Sequence, residues 1–184
     1  MSGHELRSVI GASHPVSCPA SAYLQMVGFS ESVMKAEASV EINRPIEEVF
    51  DFTNNHVVEW SITVVEDTVI NETPDRVGTT FKCVTESRGQ RLEFQGVVTR
   101  WEPPHVSAID LVGDTFDIEA AYFFETTSNR TRVTQKSVIS PKGFLKVVFF
   151  LCGWMMGKAG CNEAQKELDN LKRVLEERDD AIEG

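Results

Sequence analysis

Ala38-Ser39-Val40-Glu41-Ile42-Asn43-Arg44-Pro45-Ile46-Glu47-Glu48-Val49-Phe50-Asp51-Phe52 changes its period halfway along, and that change decides the fold. Ala38, Val40 and Ile42 lie on one side of an extended chain, Ser39 and Glu41 on the other, which is the alternation of a half-buried strand. After Asn43 the spacing turns helical. Pro45 stands at a helix start, where its missing N–H costs nothing. Glu47 and Glu48 follow in the first turn, where the helix dipole favours acids. Ile46, Val49, Phe50 and Phe52 supply a buried stripe. Asn54-Asn55 ends this helix, and a short second one runs to about Trp60.

Outward from there, the chain reads as a succession of strands: Ile62 to Asn71, Thr79 to Glu86, Arg91 to Trp101, Val106 to Leu111, Phe116 to about Glu125, and Thr131 to Ile139. Turn signals separate them. Thr73-Pro74-Asp75, Ser87-Arg88-Gly89-Gln90, Glu102-Pro103-Pro104 and Ser128-Asn129 carry the residues that turns require. The alternation slips near Gly96-Val97-Val98, which predicts a bulge. Because every connection is hairpin-short, the strands form an antiparallel meander.

Pro141-Lys142-Gly143 ends the sheet, and a helical period runs from Phe144 to about Arg178. Val147, Phe150, Trp154, Gly157, Cys161, Ala164, Leu168, Leu171 and Leu175 recur at three- and four-residue steps. The expected architecture is therefore α+β: a curved antiparallel sheet of six to seven strands, two short helices, and a long C-terminal helix over the concave face.

The 184 residues suit one domain, and the formal net charge of −10 excludes a nucleic-acid binder that neutralises phosphates with clustered cations. Residues 1–33 are rich in Ser, Gly, Ala and Pro without a sustained period and read as a flexible extension. Residues 34–178 carry the strand and helix periods and are expected to form one domain, whose ligand-binding reading rests on the helix stripe and the sheet face opposite it, and residues 179–184 a disordered tail. Phe144 to Met156, interrupted by Lys146, is too short to span a bilayer, so no transmembrane segment is expected, although transient membrane contact stays open. The N-terminus lacks the pattern of a signal peptide. Cys18, Cys83, Cys152 and Cys161 form no CxxC pair and read as reduced thiols of a cytoplasmic protein. His4, His14, His56 and His105 are scattered, and no metal or other cofactor is implied.

One helix covering a strongly curved sheet must present large side chains or leave space. At mid-length its stripe reads Gly157, Cys161 and Ala164, between Trp154 and Leu168. The sheet offers Phe81, Cys83, Phe94, Ile118, Ala120 and Tyr122 opposite them. Apolar walls with a few polar tips are the usual make-up of a ligand pocket. Small residues equally allow helix and sheet to pack closely, so both readings stand. Tyr122 shares a face with apolar residues, where its hydroxyl either orients a ligand or is satisfied in the core. Arg100 and Gln135 reach the interior or the solvent according to where the bulge falls. Asp110 and Asp114 flank a Gly and read as turn residues. No G-x-S-x-G, P-loop or G-x-G-x-x-G occurs, so no catalytic residue is assigned.

The segment Ala38 to Phe52 resembles the opening of the polyketide cyclase/dehydrase and lipid-transport family of the SRPBCC superfamily. Trp60, Gly78-Thr79-Thr80-Phe81, Trp101-Glu102-Pro103-Pro104, Thr131-Arg132-Val133-Thr134 and Leu171-Lys172-Arg173-Val174-Leu175-Glu176 extend the likeness over Lys35 to Glu177. The resemblance implies a helix-grip, START-like fold with a hydrophobic cavity between the sheet and the C-terminal helix. It carries over no catalytic motif, and the iron–sulfur ligands of the oxygenase relatives are missing.

Three function classes follow. The first is binding or carriage of a small hydrophobic ligand: a lipid, a polyketide-like molecule or an isoprenoid. The second is a metal-free cyclase or dehydratase in which Tyr122 polarises a carbonyl. The third is a protein-partner module without a ligand. Because residues 1–33 show no buried stripe, a chain beginning at Met34 should keep nearly the full melting temperature by calorimetry. A fall beyond about 8 °C would mean that this segment packs on the core.

Overall fold

The structure, a computed structural model, describes residues 33–87, 89–143 and 162–178. Strand β1 (Met34–Ile42) leads through Asn43-Arg44 into α1 (Ile46–Asn55) and α2 (Val57–Trp60). Strands β2 (Val64–Asn71), β3 (Thr80–Ser87), β4 (Gln90–Glu102), β5 (Val106–Gly113), β6 (Phe116–Thr127) and β7 (Arg130–Pro141) follow. Residues 162–177 are helical and are termed α3. The strands form one seven-stranded sheet, all neighbours antiparallel, in the order β1-β7-β6-β5-β4-β3-β2. The meander is as expected, and β1 closes it by pairing with β7 from Met34↔Ile139 to Ile42↔Thr131.

The period change at Asn43 works as the pattern requires. Ala36, Ala38 and Ile42 of β1 and Ile46, Val49, Phe50 and Phe52 of α1 are all buried. Pro45 is the residue before the first helical turn, and Glu47 and Glu48 occupy that turn. Phe50 meets Trp101 at 5.0 Å and Phe124 at 5.1 Å between ring centroids, both edge-on, the geometry that aromatic quadrupoles favour. The Trp60 indole N–H donates to the Thr53 carbonyl at 3.1 Å and fixes the short α2 to α1.

Helix α3 puts Leu168, Leu171 and Leu175 into this cluster, together with Ile42, Phe124 and Val133. Polar side chains pin it along both flanks. Towards β1, Gln165 donates to the Ser39 carbonyl at 3.2 Å, Lys172 to the Glu41 carbonyl at 2.8 Å, and Glu176 accepts from the Asn43 N–H at 2.9 Å. Towards α2, Glu167 accepts from the Ile62 N–H at 2.9 Å and the Thr63 hydroxyl at 2.8 Å, and Asn170 donates to the Trp60 carbonyl at 2.6 Å.

Two expectations need correcting. The bulge in β4 falls between Val98 and Arg100, just beyond the expected Gly96-Val97-Val98, so Thr99 is the extra residue. This turns Trp101 inward and Arg100 outward, where Arg100 donates to both Glu102 carboxylate oxygens at 2.8 and 2.9 Å. Asp110 is not a turn residue: it sits in β5 opposite Glu119, because the strand continues to Gly113. Asp114 does lie in the following bend.

The packing gives a direct contrast between faces. Leu171→Ala should lower unfolding stability in urea by about 2–5 kcal/mol, through lost transfer energy and the cavity left behind. Arg100→Ala, which breaks an exposed ion pair, should leave the urea midpoint almost unchanged.

Candidate functional site

Pairing register sorts the concave face into transverse rows. Val40, Val133 and Phe124 form the row nearest α3's leucines, and with them the closed part of the core. The next row runs Ala38–Gln135–Tyr122–Ser107–Trp101 across five strands. Beyond it lies Ala36–Ser137–Ala120–Ile109–Val98, a row of small side chains at its centre. Then come Met34–Ile139–Ile118–Leu111–Gly96–Phe81, and finally Phe94 with Cys83 on one side and Gly113 on the other.

Among the described residues, the apolar side chains of these rows fall into two clusters. One joins α1, α2 and α3 to the β1-β7-β6 end and takes in Tyr122, Trp101 and Ala164 at its border. The other centres on Cys83, Phe94 and Leu111, with Phe81, Ile109, Phe116 and Ile118 half-buried around it. Ala120 is buried and belongs to neither. The expected site residues are therefore divided: Phe81, Cys83, Phe94 and Ile118 line the far cluster, Tyr122 and Ala164 border the near one, and Ala120 lies between. Trp154, Gly157 and Cys161 lie outside the described residues.

Glycines shape the far wall. Phe81 faces Gly96 across the strand pair, and its ring lies where a Cβ on that glycine would be. Phe94 likewise faces Gly113, where an added Cβ would come within 2.6 Å of the ring. Both phenyl rings therefore lie flat on the sheet and take up little depth. The concave face thus combines flat aromatic rings at one end with a neighbouring row of Ala and Ser.

Polar chemistry is concentrated in the second row. Ser107 is 2% exposed, and its hydroxyl has no hydrogen-bond partner; the buried Gln135 Oε1 has none either. An unmade hydrogen bond at a buried polar atom costs about 1–3 kcal/mol, so such atoms mark places where another molecule supplies the partner. Tyr122 lies between the two, opposite Ser107 on β5 and Gln135 on β7. Burial first, and then the Glu167 charge, raise the Tyr122 phenol above its ordinary value, so it remains a hydrogen-bond donor at neutral pH. Burial, reinforced by Asp67 across the strand pair, pushes the Cys83 thiol up to about 12. The Asp67 carboxyl is itself raised by desolvation, although the residue as a whole is exposed on the edge strand. Among the described residues no group of His, Cys, Asp and Glu could hold a metal ion, and no helix is long and apolar enough to cross a membrane.

Sequence reasoning missed Ser107 and left Gln135 undecided. The signal for Ser107 was present: in Val106 to Leu111 it alternates in phase with Ile109 and Leu111. Gln135 needed the register of β7 against β6.

A seven-stranded antiparallel sheet closed over a C-terminal helix, with a concave face that is apolar at both ends and small between them, defines a helix-grip, START-like protein. The chain belongs to the polyketide cyclase/dehydrase and lipid transport family of the SRPBCC superfamily, which it matches over residues 33–176. No curated protein matches it by sequence. Among solved structures, a protein of Thermus thermophilus is similar with a TM-score of 0.64 at 18% identity, covering 77% of this chain and 97% of that one. A START superfamily protein from Mycobacterium smegmatis gives 0.62 at 17% identity, covering 80% and 98%. The two-domain ARO/CYC protein of the steffimycin biosynthetic pathway gives 0.58 at 13%, covering 79% of this chain and 51% of that one. At these identities the likeness is one of fold.

The Cys83 environment predicts a pH effect. An unfolded thiol ionises near its ordinary 9.0, and the folded one at about 12. The unfolded state therefore loses its proton first, so the contribution is intact below pH 9.0 and falls away as pH rises towards 12. Urea midpoints measured upward from about pH 8 should drop more steeply for the parent than for Cys83→Ala. Equal slopes would show that the thiol is not desolvated.

Proposed function

We propose that this protein binds or carries a small hydrophobic molecule, of lipid, polyketide-like or isoprenoid type, over the concave face between the sheet and the C-terminal helix. The observation that carries this reading is the row of small side chains centred on Ala120 and Ser137, which lies between the two apolar clusters that the described residues form. A domain built only for packing would fill that row with Leu, Ile or Phe, since interiors are close-packed. The flat Phe81 and Phe94 rings and the half-buried Ile109 and Ile118 provide an apolar lining. In this reading residues 34–178 are the binding unit and the location is cytoplasmic, in keeping with the free, buried Cys83.

A cyclase or dehydratase activity is the second reading, favoured by one observation. Tyr122 keeps its proton and stands between two unsatisfied polar groups, where it could donate to a substrate carbonyl and hold it for intramolecular attack.

The test is to fill the small row. N-phenylnaphthylamine, a neutral apolar dye, should brighten on binding the parent protein. Ala120→Phe should lose that binding while its stability changes by less than about 1 kcal/mol, because a side chain entering real space gains contacts. A loss of stability of about 1–3 kcal/mol, the usual penalty for over-packing, would show that the space is already occupied by protein.

A further inference from the structure

We propose, building on that reading, that the ligand carries an uncharged oxygen function, a ketone or a hydroxyl, and that Ser107, Tyr122 and Gln135 hold this oxygen against the sheet. These three residues are consecutive in one transverse row on β5, β6 and β7. Directly opposed residues have Cβ atoms about 4.5–5.5 Å apart, so the three side chains span roughly 10 Å. Ser107 and Gln135 can each donate and accept, and Tyr122 donates. A ligand hydroxyl placed among them would donate to the unpartnered Gln135 Oε1 and accept from the Ser107 or Tyr122 hydroxyl, whereas a ketone oxygen would accept from those two hydroxyls.

The charge distribution selects for neutrality. No Lys or Arg belongs to the polar row, the small row or the apolar row beyond it. Among the described residues, Glu167 acts on Tyr122 and Asp67 on Cys83, and the one cation against the polar row, Arg76, lies over the Trp101 ring at its β4 end, 5.0 Å from the ring centroid. A carboxylate entering beside Tyr122 would give up its hydration, meet no cation on the sheet rows themselves, and be repelled by Glu167. The oxygen end therefore lies at the row of Tyr122, and the apolar body extends across Ala120 towards Ile118, Phe81 and Phe94.

Competition against bound N-phenylnaphthylamine tests this with a medium-chain methyl ketone, the primary alcohol and the carboxylate of the same chain length, at about pH 7 where the acid is ionised. The ketone and alcohol should displace the dye at concentrations at least about tenfold below the carboxylate. Ser107→Ala and Tyr122→Phe, which remove single oxygens, should weaken ketone displacement about three- to tenfold while dye affinity stays within about twofold. Far-ultraviolet circular dichroism confirms that both variants are folded. Dye binding with equal or better competition by the carboxylate overturns this inference alone. So does ketone affinity that survives unchanged in both folded variants. Failure of the folded parent to bind dye or any competitor overturns the pocket reading itself, and this inference with it.

Discussion

Everything in this protein depends on three leucines of one helix reaching into the hollow of a curved sheet. Leu168, Leu171 and Leu175 are buried against Ile42, Phe124 and Val133. A hydrophobic contact is non-directional and would let the helix slide or roll. The hydrogen bonds along both flanks remove that freedom. Gln165, Lys172 and Glu176 tie α3 to β1, while Glu167 and Asn170 tie it to the end of α2. Each bond alone contributes modestly, but together they set the depth and rotation at which the helix sits.

With the helix anchored at that end, the rest of the concave face is shaped by the sheet. Bulk drops sharply between the row of Tyr122 and Gln135 and the next row, of Ala120 and Ser137. It rises again only at Ile118 and Ile139. The glycines at 96 and 113 let the far aromatic rings lie flat on the sheet. The row of Tyr122 and Gln135 holds the unpartnered Ser107 and Gln135 oxygens.

Cys83 and Asp67 show how local environment sets chemistry. A thiol is a useful nucleophile only as thiolate, and burial here drives Cys83 the other way. The cysteine is part of the wall, not a reactive group. Tyr122 is likewise held in its neutral form, which makes it a donor and not a base.

How much was legible beforehand depended on how local the signal was. The strand-to-helix switch at Asn43-Arg44-Pro45, the hairpin turns and the leucine period of α3 are short-range patterns, written in consecutive residues, and they determined the element order and the antiparallel meander. The position of the β4 bulge was only approximate in the sequence. A shift of one residue reverses every later side chain, so the outward facing of Arg100 and the inward facing of Trp101 waited on the pairing with β5. The row Ser107–Tyr122–Gln135 joins residues on three strands, and register alone brings them side by side. Sequence by itself determined which residues are apolar and how they repeat. Tertiary structure decided which of them face one another, because cross-strand pairing is a long-range choice that no single segment contains.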